Sequence, residues 1–323
     1  MYQRYYGLRE LPFELTSNPK YLYLTPKHRE ALSNLEYGLF AAKSLTVLIG
    51  EAGTGKTTLL RAALESDRCA GVHCVYLNNP ALTRAEFLAM LASRFSLTSE
   101  ASRSKTVLLE ELERELRQRR ECGEVAALVV DEAQALSLEL LEEVRLLANM
   151  ETPDGKLLPL VLAGQPELSV RLEEPTLRQL KQRVALRCEI APFQLSETAA
   201  YIATRIRTAG GVPSKLFTRE AVSLIHQHAD GIPRTISVIC DNALITGMAV
   251  ERQPVDQAIV LEVCRDFHLR RESALDDPVI EDPVEDRAPA QAVSGRPEAI
   301  ERSERFDDPP KPRRFTLFGS GRR

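Results

Sequence analysis

The stretch Gly50-Glu51-Ala52-Gly53-Thr54-Gly55-Lys56-Thr57 combines three glycines with a lysine and a hydroxyl, and Thr58 follows it. Glycines let a backbone wrap closely round an anion, so that successive N–H groups point inward. A helix starting at the end of such a loop adds the positive end of its dipole. In that setting Lys56 neutralises β/γ-phosphate charge, and the Thr57 hydroxyl is a hard oxygen ligand for Mg2+. The pattern G-x-x-x-x-G-K-[ST] is met without a mismatch; at average composition a chance match in such a chain is on the order of one in a hundred. The plainer alternative is a glycine-rich turn that happens to contain Lys-Thr. The apolar run Leu45–Ile49 before the loop and the helical pattern Thr58–Leu64 after it weigh against that alternative. These residues imply a nucleoside triphosphate site, with ATP and Mg2+ as the expected cofactors. No guanine-reading NKxD element is present.

A second constellation lies downstream. Ala127-Leu128-Val129-Val130-Asp131-Glu132 is an apolar strand ending in two acids. Asp131 at the strand end is expected to hold the Mg2+ shell together with Thr57. Glu132 is the expected base or orienter for an attacking water, because neighbouring residues at a strand end project differently. The alternative is that both acids only cap a helix beginning near Leu138.

The elements that must position these groups can be read from periodicity. Leu45–Ile49, Cys74–Leu77, Ala127–Val130, Leu158–Ala163 and Leu186–Ile190 read as buried strands alternating with helices. That alternation implies crossover units and a parallel sheet, an α/β fold with five strands flanked by helices. Leu108, Leu109, Leu112 and Leu116 share one face of the helix before the third strand. Thr25-Pro26 opens an earlier helix expected to run to about Lys43, with Thr as N-cap and Pro at the first position. From Ser196 to about Leu269 the strand signal stops. Helices replace it, with Thr218 and Pro254 near starts and Gly210-Gly211 and Gly231 near stops. The expected units are an N-terminal linker and helix (1–43), the core (44–193), a small helical lid (194–270) and a charged tail (271–323). From Asp276 the tail holds seven prolines, eleven acidic and nine basic residues in 48, a composition that suits disorder.

With 42 basic and 46 acidic residues the net charge is −4, so any nucleic acid or acidic surface must be met by a local patch. The candidate patch is the basic terminus Lys311-Pro312-Arg313-Arg314 to Arg323, with Phe315 and Phe318 interleaved. A merely solubilising tail is the plainer reading. Six scattered cysteines without a CxxC pair argue against zinc and a disulfide framework. No apolar run of about 18 residues and no leader-like N-terminus occur, so a cytoplasmic location, at most peripheral at the inner membrane, is expected.

Tyr6-Gly7-Leu8 with Pro12-Phe13, Tyr23-Leu24, His28-Arg29-Glu30-Ala31-Leu32, the phosphate loop, Asp131-Glu132-Ala133-Gln134, Leu162-Ala163-Gly164-Gln165-Pro166-Glu167-Leu168 and Gly231-Ile232-Pro233-Arg234 follow one another in order. Together they resemble the ExeA/GspA-type AAA+ ATPases, over about residues 1–268. That family assists secretion and pilus assembly in the bacterial envelope. Much of its core is shared with transposition ATPases of the MuB/TnsC type, so a DNA-binding regulator is the alternative function. Helicases of the DEAD type share the Asp-Glu-Ala stretch, but they need a second RecA-like domain for which this length and order leave no room.

The resemblance implies roles for further residues. Gln165 ends the fourth strand where a sensor-1 side chain would meet the attacking water or γ-phosphate. A turn residue before Pro166 is the alternative. Arg234 corresponds to sensor 2, reaching from the lid. Arg183 stands where an arginine finger would act on a neighbouring subunit's nucleotide, with Arg178 as rival. The bland alternative is that Arg178, Lys181, Arg183 and Arg187 form a solvated basic face. The implied assembly is a homo-oligomer formed with ATP, with a protein partner in an envelope system of secretion, pilus or polysaccharide-export kind. ExeA-like proteins often continue into a membrane segment and a cell-wall-binding region, whereas here a charged, proline-rich tail follows.

Overall fold

The structure, a computed structural model, describes residues 2–15, 19–78 and 81–267. The charged tail and its basic terminus lie outside the described residues.

Five strands form one parallel sheet: β1 (Leu45–Gly50), β2 (Val72–Leu77), β3 (Val125–Val130), β4 (Leu160–Gly164) and β5 (Val184–Ile190), in the order β2-β3-β4-β1-β5. Position in the sheet explains sequence texture. The central strands β1, β3 and β4 are buried almost throughout and read as unbroken apolar runs, whereas the edge strands β2 and β5 alternate in exposure. Parallel strands put all their carboxyl ends on one sheet edge, so the segments after β1, β3 and β4 emerge together. With β4 lying between β1 and β3, the residue that leaves β4 stands between the phosphate loop and the acidic pair.

Helices cover both faces. On one, α1 (Pro26–Phe40) and α2 (Lys56–Leu64) bury Leu35, Leu39, Leu59 and Leu60 against Leu48, Val129 and Val161. On the other, α3 (Arg84–Arg94), α4 (Lys105–Glu121) and α5 (Leu138–Leu147) bury Phe87, Leu108, Leu112 and Leu141 against Leu45, Val47 and Leu128. The expected face of α4 is met by Leu108, Leu112 and Leu116, with Leu109 at its border. The start of α1 is capped as expected, Thr25 accepting the His28 N–H. Its end comes three residues earlier than the apolar pattern suggests. Ala42 turns left-handed (φ 47°), and Ala42 and Lys43 donate back to the Leu39 and Gly38 carbonyls, closing the helix.

A short helix, Pro166–Leu172 (α6), follows β4, and after β5 the chain builds a helical lid: α7 (Leu195–Thr208), α8 (Arg219–Ala229), α9 (Pro233–Ala249) and α10 (Gln257–Asp266). Thr218 caps α8, Gly210 and Gly231 fall at stops, and Pro254 lies just before α10, which Asp256 caps. The N-terminal residues divide between two cores. While α1 packs on the sheet, Tyr2, Tyr6, Leu8 and Phe13 are buried in the lid among Ile206, Phe217, Ile239 and Leu244. Tyr2 donates to Asp241, Tyr6 to the Leu244 carbonyl (3.2 Å), and Arg205 to the Pro12 carbonyl (2.7 Å).

This packing makes an N-terminal residue part of the lid core. Phe13 is 1% exposed, so Phe13→Ala is expected to destabilise the protein by about 3–5 kcal/mol. Urea unfolding checks it; a loss under about 1 kcal/mol would mean that residues 2–13 are no more than a loose arm.

Candidate functional site

The loop after β1 folds on itself before it meets any ligand. Thr54 donates both its N–H and its hydroxyl to the Glu51 carbonyl, and Lys56 Nζ donates to the Gly50 (2.8 Å) and Glu51 (3.1 Å) carbonyls. Two of the three ammonium donors thus hold the loop, leaving the third for a ligand. Gly53 and Gly55 have φ values of +80° and +102°, which side-chain-bearing residues resist. Burial lowers the Lys56 pKa, against the raising influence of Glu132 and Asp131. An open cleft of about 320 Å³ lies over the loop; Gly53, Gly55, Lys56, Thr57, Thr58, Glu132 and Arg234 line it, with Tyr201, Arg205 and Ser237 on the lid side. Gly50, Glu51, Ala52 and Thr54 of the loop are not among the residues that line it.

Two elements hold the loop from outside. From the lid, the Arg234 N–H donates to the Gly53 carbonyl (3.2 Å). The approach is close enough that a Cβ on Gly53 would come within 2.9 Å of the Arg234 Cβ. From α1, buried His28 places Nε2 3.2 Å from the Thr54 carbonyl and Nδ1 2.8 Å from the Thr25 hydroxyl. A carbonyl can only accept, so Nε2 carries the proton and Nδ1 accepts from Thr25. Burial lowers the His28 pKa, only partly offset by the Thr54 bond.

The acids separate as their neighbouring positions suggest. Asp131 is 3% exposed; its Oδ2 accepts from the Thr57 hydroxyl (2.6 Å) and from the Tyr76 phenol (2.8 Å), while Oδ1 accepts the Glu132 N–H (3.0 Å). Glu132 takes a left-handed backbone (φ 53°) and turns into the cleft. Its Oε2 accepts from Gln134 (2.6 Å) and Gln165 (3.3 Å), and Gln134 Oε1 accepts the Gln165 N–H (3.1 Å). Burial alone would raise the Glu132 pKa, but the two glutamine bonds and the Lys56 charge together hold it below the ordinary value. The acids do not cap α5; Ser137 does.

Thr57, Asp131, Glu132, Gln165 and Arg234 therefore converge with the loop. Arg183 does not. It precedes β5, at the end opposite Ile190, which packs on Gly50. The strand's length puts it about 20 Å from the loop. Around it, Lys181 pairs with Glu173, and Arg187 donates to the Ser169 hydroxyl (2.7 Å). The donor set suits Mg2+, which takes one or two protein oxygens and completes its octahedron with phosphates and water: Thr57 Oγ1 and the Asp131 carboxylate are both oxygen donors beside the cleft. Among the described residues no cluster of three His, Cys, Asp or Glu suggests a softer metal, and all six cysteines are free.

Sequence reasoning missed four supporting residues. Tyr76 and His28 bond to site atoms, Gln134 joins Glu132 to Gln165, and Arg171 donates to the Gln134 (2.6 Å) and Leu136 (2.7 Å) carbonyls, fixing the segment after the acids. Gln134, beside the acid pair, and His28, in the stretch His28–Leu32, stood in the motifs that carry the resemblance, but without an assigned role.

A strand order of β2-β3-β4-β1-β5, a glycine loop leading into α2 and a lid meeting that loop define the class: the chain is an AAA+ P-loop protein. A family model described as an AAA domain matches residues 41–172. Within that class the chain is similar to the ExeA/GspA type. It is 40% identical over 249 residues, 77% of its length, to General secretion pathway protein A of Aeromonas hydrophila, and it spans 45% of that relative. Solved structures share the fold at low identity. The ORC2 protein of Aeropyrum pernix in ADPNP–ADP complexes has a TM-score of 0.55 at 16% identity, covering 79% of this chain and 71% of that one. The Cdc6p structure of Pyrobaculum aerophilum has a TM-score of 0.58 at 16% identity, covering 79% and 70%. Among the described residues no helix is long and apolar enough to cross a membrane.

His28 gives the site a measurable pH signature. Its folded pKa lies below the 6.5 of an unperturbed histidine, so the unfolded chain binds the proton first as pH falls. The stability it contributes is complete above about pH 6.5 and is lost as the pH drops toward the folded pKa. In urea unfolding between pH 7.5 and 5.5, His28→Gln is expected to flatten this decline; an unchanged slope would assign the decline to other groups.

Proposed function

We propose that the chain binds ATP with Mg2+ and hydrolyses it at a site completed by a second copy of itself. The observation that carries this reading is the Glu132 carboxylate, held by Gln134 and Gln165 on the wall of the cleft that Lys56, Thr57 and Arg234 also line. A lowered pKa keeps that carboxylate ionised at neutral pH, as a group that accepts a proton from water must be.

In this mechanism the loop N–H groups and Lys56 hold the β- and γ-phosphates, and Glu132 orients the attacking water and takes its proton. Gln165 steadies Glu132 through its amide and contacts the water or the γ-phosphate. Arg234 brings charge from the lid to the γ-phosphate. Thr57 and Asp131 would hold Mg2+, which would supply positive charge to offset that of the phosphates. Arg183, remote from its own cleft, serves the nucleotide of the adjacent subunit. Similarity to General secretion pathway protein A supports a role as the nucleotide-driven component of a bacterial envelope assembly. On this reading the protein works in the cytoplasm, peripherally at the inner membrane, with a protein partner in that assembly.

Lys56→Ala is expected to abolish binding of a fluorescent ATP analogue. Glu132→Gln should bind it normally while turnover falls about 10²–10⁴-fold; retained turnover would remove Glu132 from the role of base. For the composite site, turnover per subunit should rise with protein concentration as the oligomer forms. Arg183→Ala should lower it about 10³-fold or more without weakening nucleotide binding. Restoration of turnover when Arg183→Ala is mixed with Lys56→Ala supports action in trans; a concentration-independent rate would oppose it.

A further inference from the structure

Tyr76, near the end of β2, is not among the residues that line the cleft. Its phenol instead donates to Asp131 Oδ2 at 2.8 Å, the same oxygen that accepts the Thr57 hydroxyl at 2.6 Å. We propose that Tyr76 is a positioning residue for Mg2+, fixing the Asp131 carboxylate so that its remaining lone pairs face the ion's water shell. The inference rests on the ATP and Mg2+ reading above and adds a residue to it.

The chemistry follows from counting donors and acceptors. A threonine hydroxyl has one proton and two lone pairs, so Thr57 can keep its hydrogen bond to Asp131 while offering a lone pair to the metal. Asp131 must then be correctly rotated. Its side chain is buried, and an aspartate at a strand end has little to set its terminal torsion except hydrogen bonds. Three donors set it: the Glu132 N–H on Oδ1, and Thr57 and Tyr76 on Oδ2. The first belongs to the adjacent residue and the second to the group that the ion engages. Only the third is independent of both the acid's own turn and the metal. Register supports this geometry, because Tyr76 pairs with Val129 and Leu77 with Val130 on the strand that carries the acid, and the Asp131 N–H donates to the Leu77 carbonyl (2.8 Å). The ring packs beside the core between the sheet and α2, which prevents the phenol from swinging away.

The test is Tyr76→Phe, which keeps the ring and removes the hydroxyl. A fluorescent ADP analogue is titrated into the whole protein in EDTA and then at a series of Mg2+ concentrations. Affinity in EDTA should match wild type within about twofold, while the Mg2+ concentration for half-maximal tightening should rise about tenfold, the size expected for losing one charge-assisted hydrogen bond. In an Asp131→Asn background the substitution should have no further effect on Mg2+. An unchanged Mg2+ requirement, equal weakening in EDTA, or the same effect in the Asp131→Asn background would overturn the proposal. If wild-type protein itself showed no Mg2+-dependent tightening, the metal reading of Thr57 and Asp131 would fail instead.

Discussion

The hydrogen bond from the Thr57 hydroxyl to Asp131 spans the sheet edge. It joins the first turn after β1 to the end of β3 across the intervening β4, at 2.6 Å. Neighbouring parallel strands lie about 4.8 Å apart, so only a side chain reaching sideways from a helix start can close that gap. The rest of the site takes its dimensions from this span. β4 delivers Gln165 into the gap, β2 supplies Tyr76 from the outside, and α2 must begin at Lys56 for Thr57 to lie in reach. A different strand order would scatter the same side chains along the edge.

The loop is held both by its own bonds and by what presses on it. Gly53 leaves out a side chain where the lid comes down and shares a backbone hydrogen bond with Arg234. His28 holds the Thr54 carbonyl from the opposite side. Phe193, at the entry to the lid, packs 5.7 Å from the His28 ring, and its N–H donates to the Gly231 carbonyl (2.8 Å), two residues before α9. Loop, α1 and lid therefore share one continuous set of contacts. A displacement of the lid is felt at Gly53 through its backbone bond with Arg234, a residue that also lines the cleft.

Much of this arrangement could be read from the chain, for definable physical reasons. The strands announce themselves because a central parallel strand is apolar on both faces. The phosphate loop and the acid pair announce themselves because their chemistry needs particular residue types at short spacing. Residues that act through another side chain carry no such constraint. Tyr76 reads as an ordinary strand aromatic, and its partner lies 55 positions away. His28 sits in an amphipathic helix where a buried histidine has many uses, and Arg171 resembles any helix arginine until its two carbonyl partners are seen. Arg183 is legible only by resemblance, because nothing within one subunit engages its charge at the cleft.

Glu132 shows how the fold separates two adjacent acids into different tasks. Left-handed backbone in a residue with a side chain costs roughly 1–2 kcal/mol, and Glu132 adopts it at φ 53°. In the ordinary extended continuation of β3, successive side chains would point to opposite faces of the sheet, and Glu132 would be directed into the apolar packing that surrounds Ala133 and Leu136. The left-handed turn brings it over the strand end instead. Bonds present only in the turned state offset the strain: the Glu132 N–H to Asp131 Oδ1 and the two glutamine amides to Oε2. Those donors also lower the carboxyl's pKa against the effect of burial. The interactions that stabilise the strained backbone are thus the ones that keep the acid ionised and aimed, and relaxing the turn would remove position and charge state together.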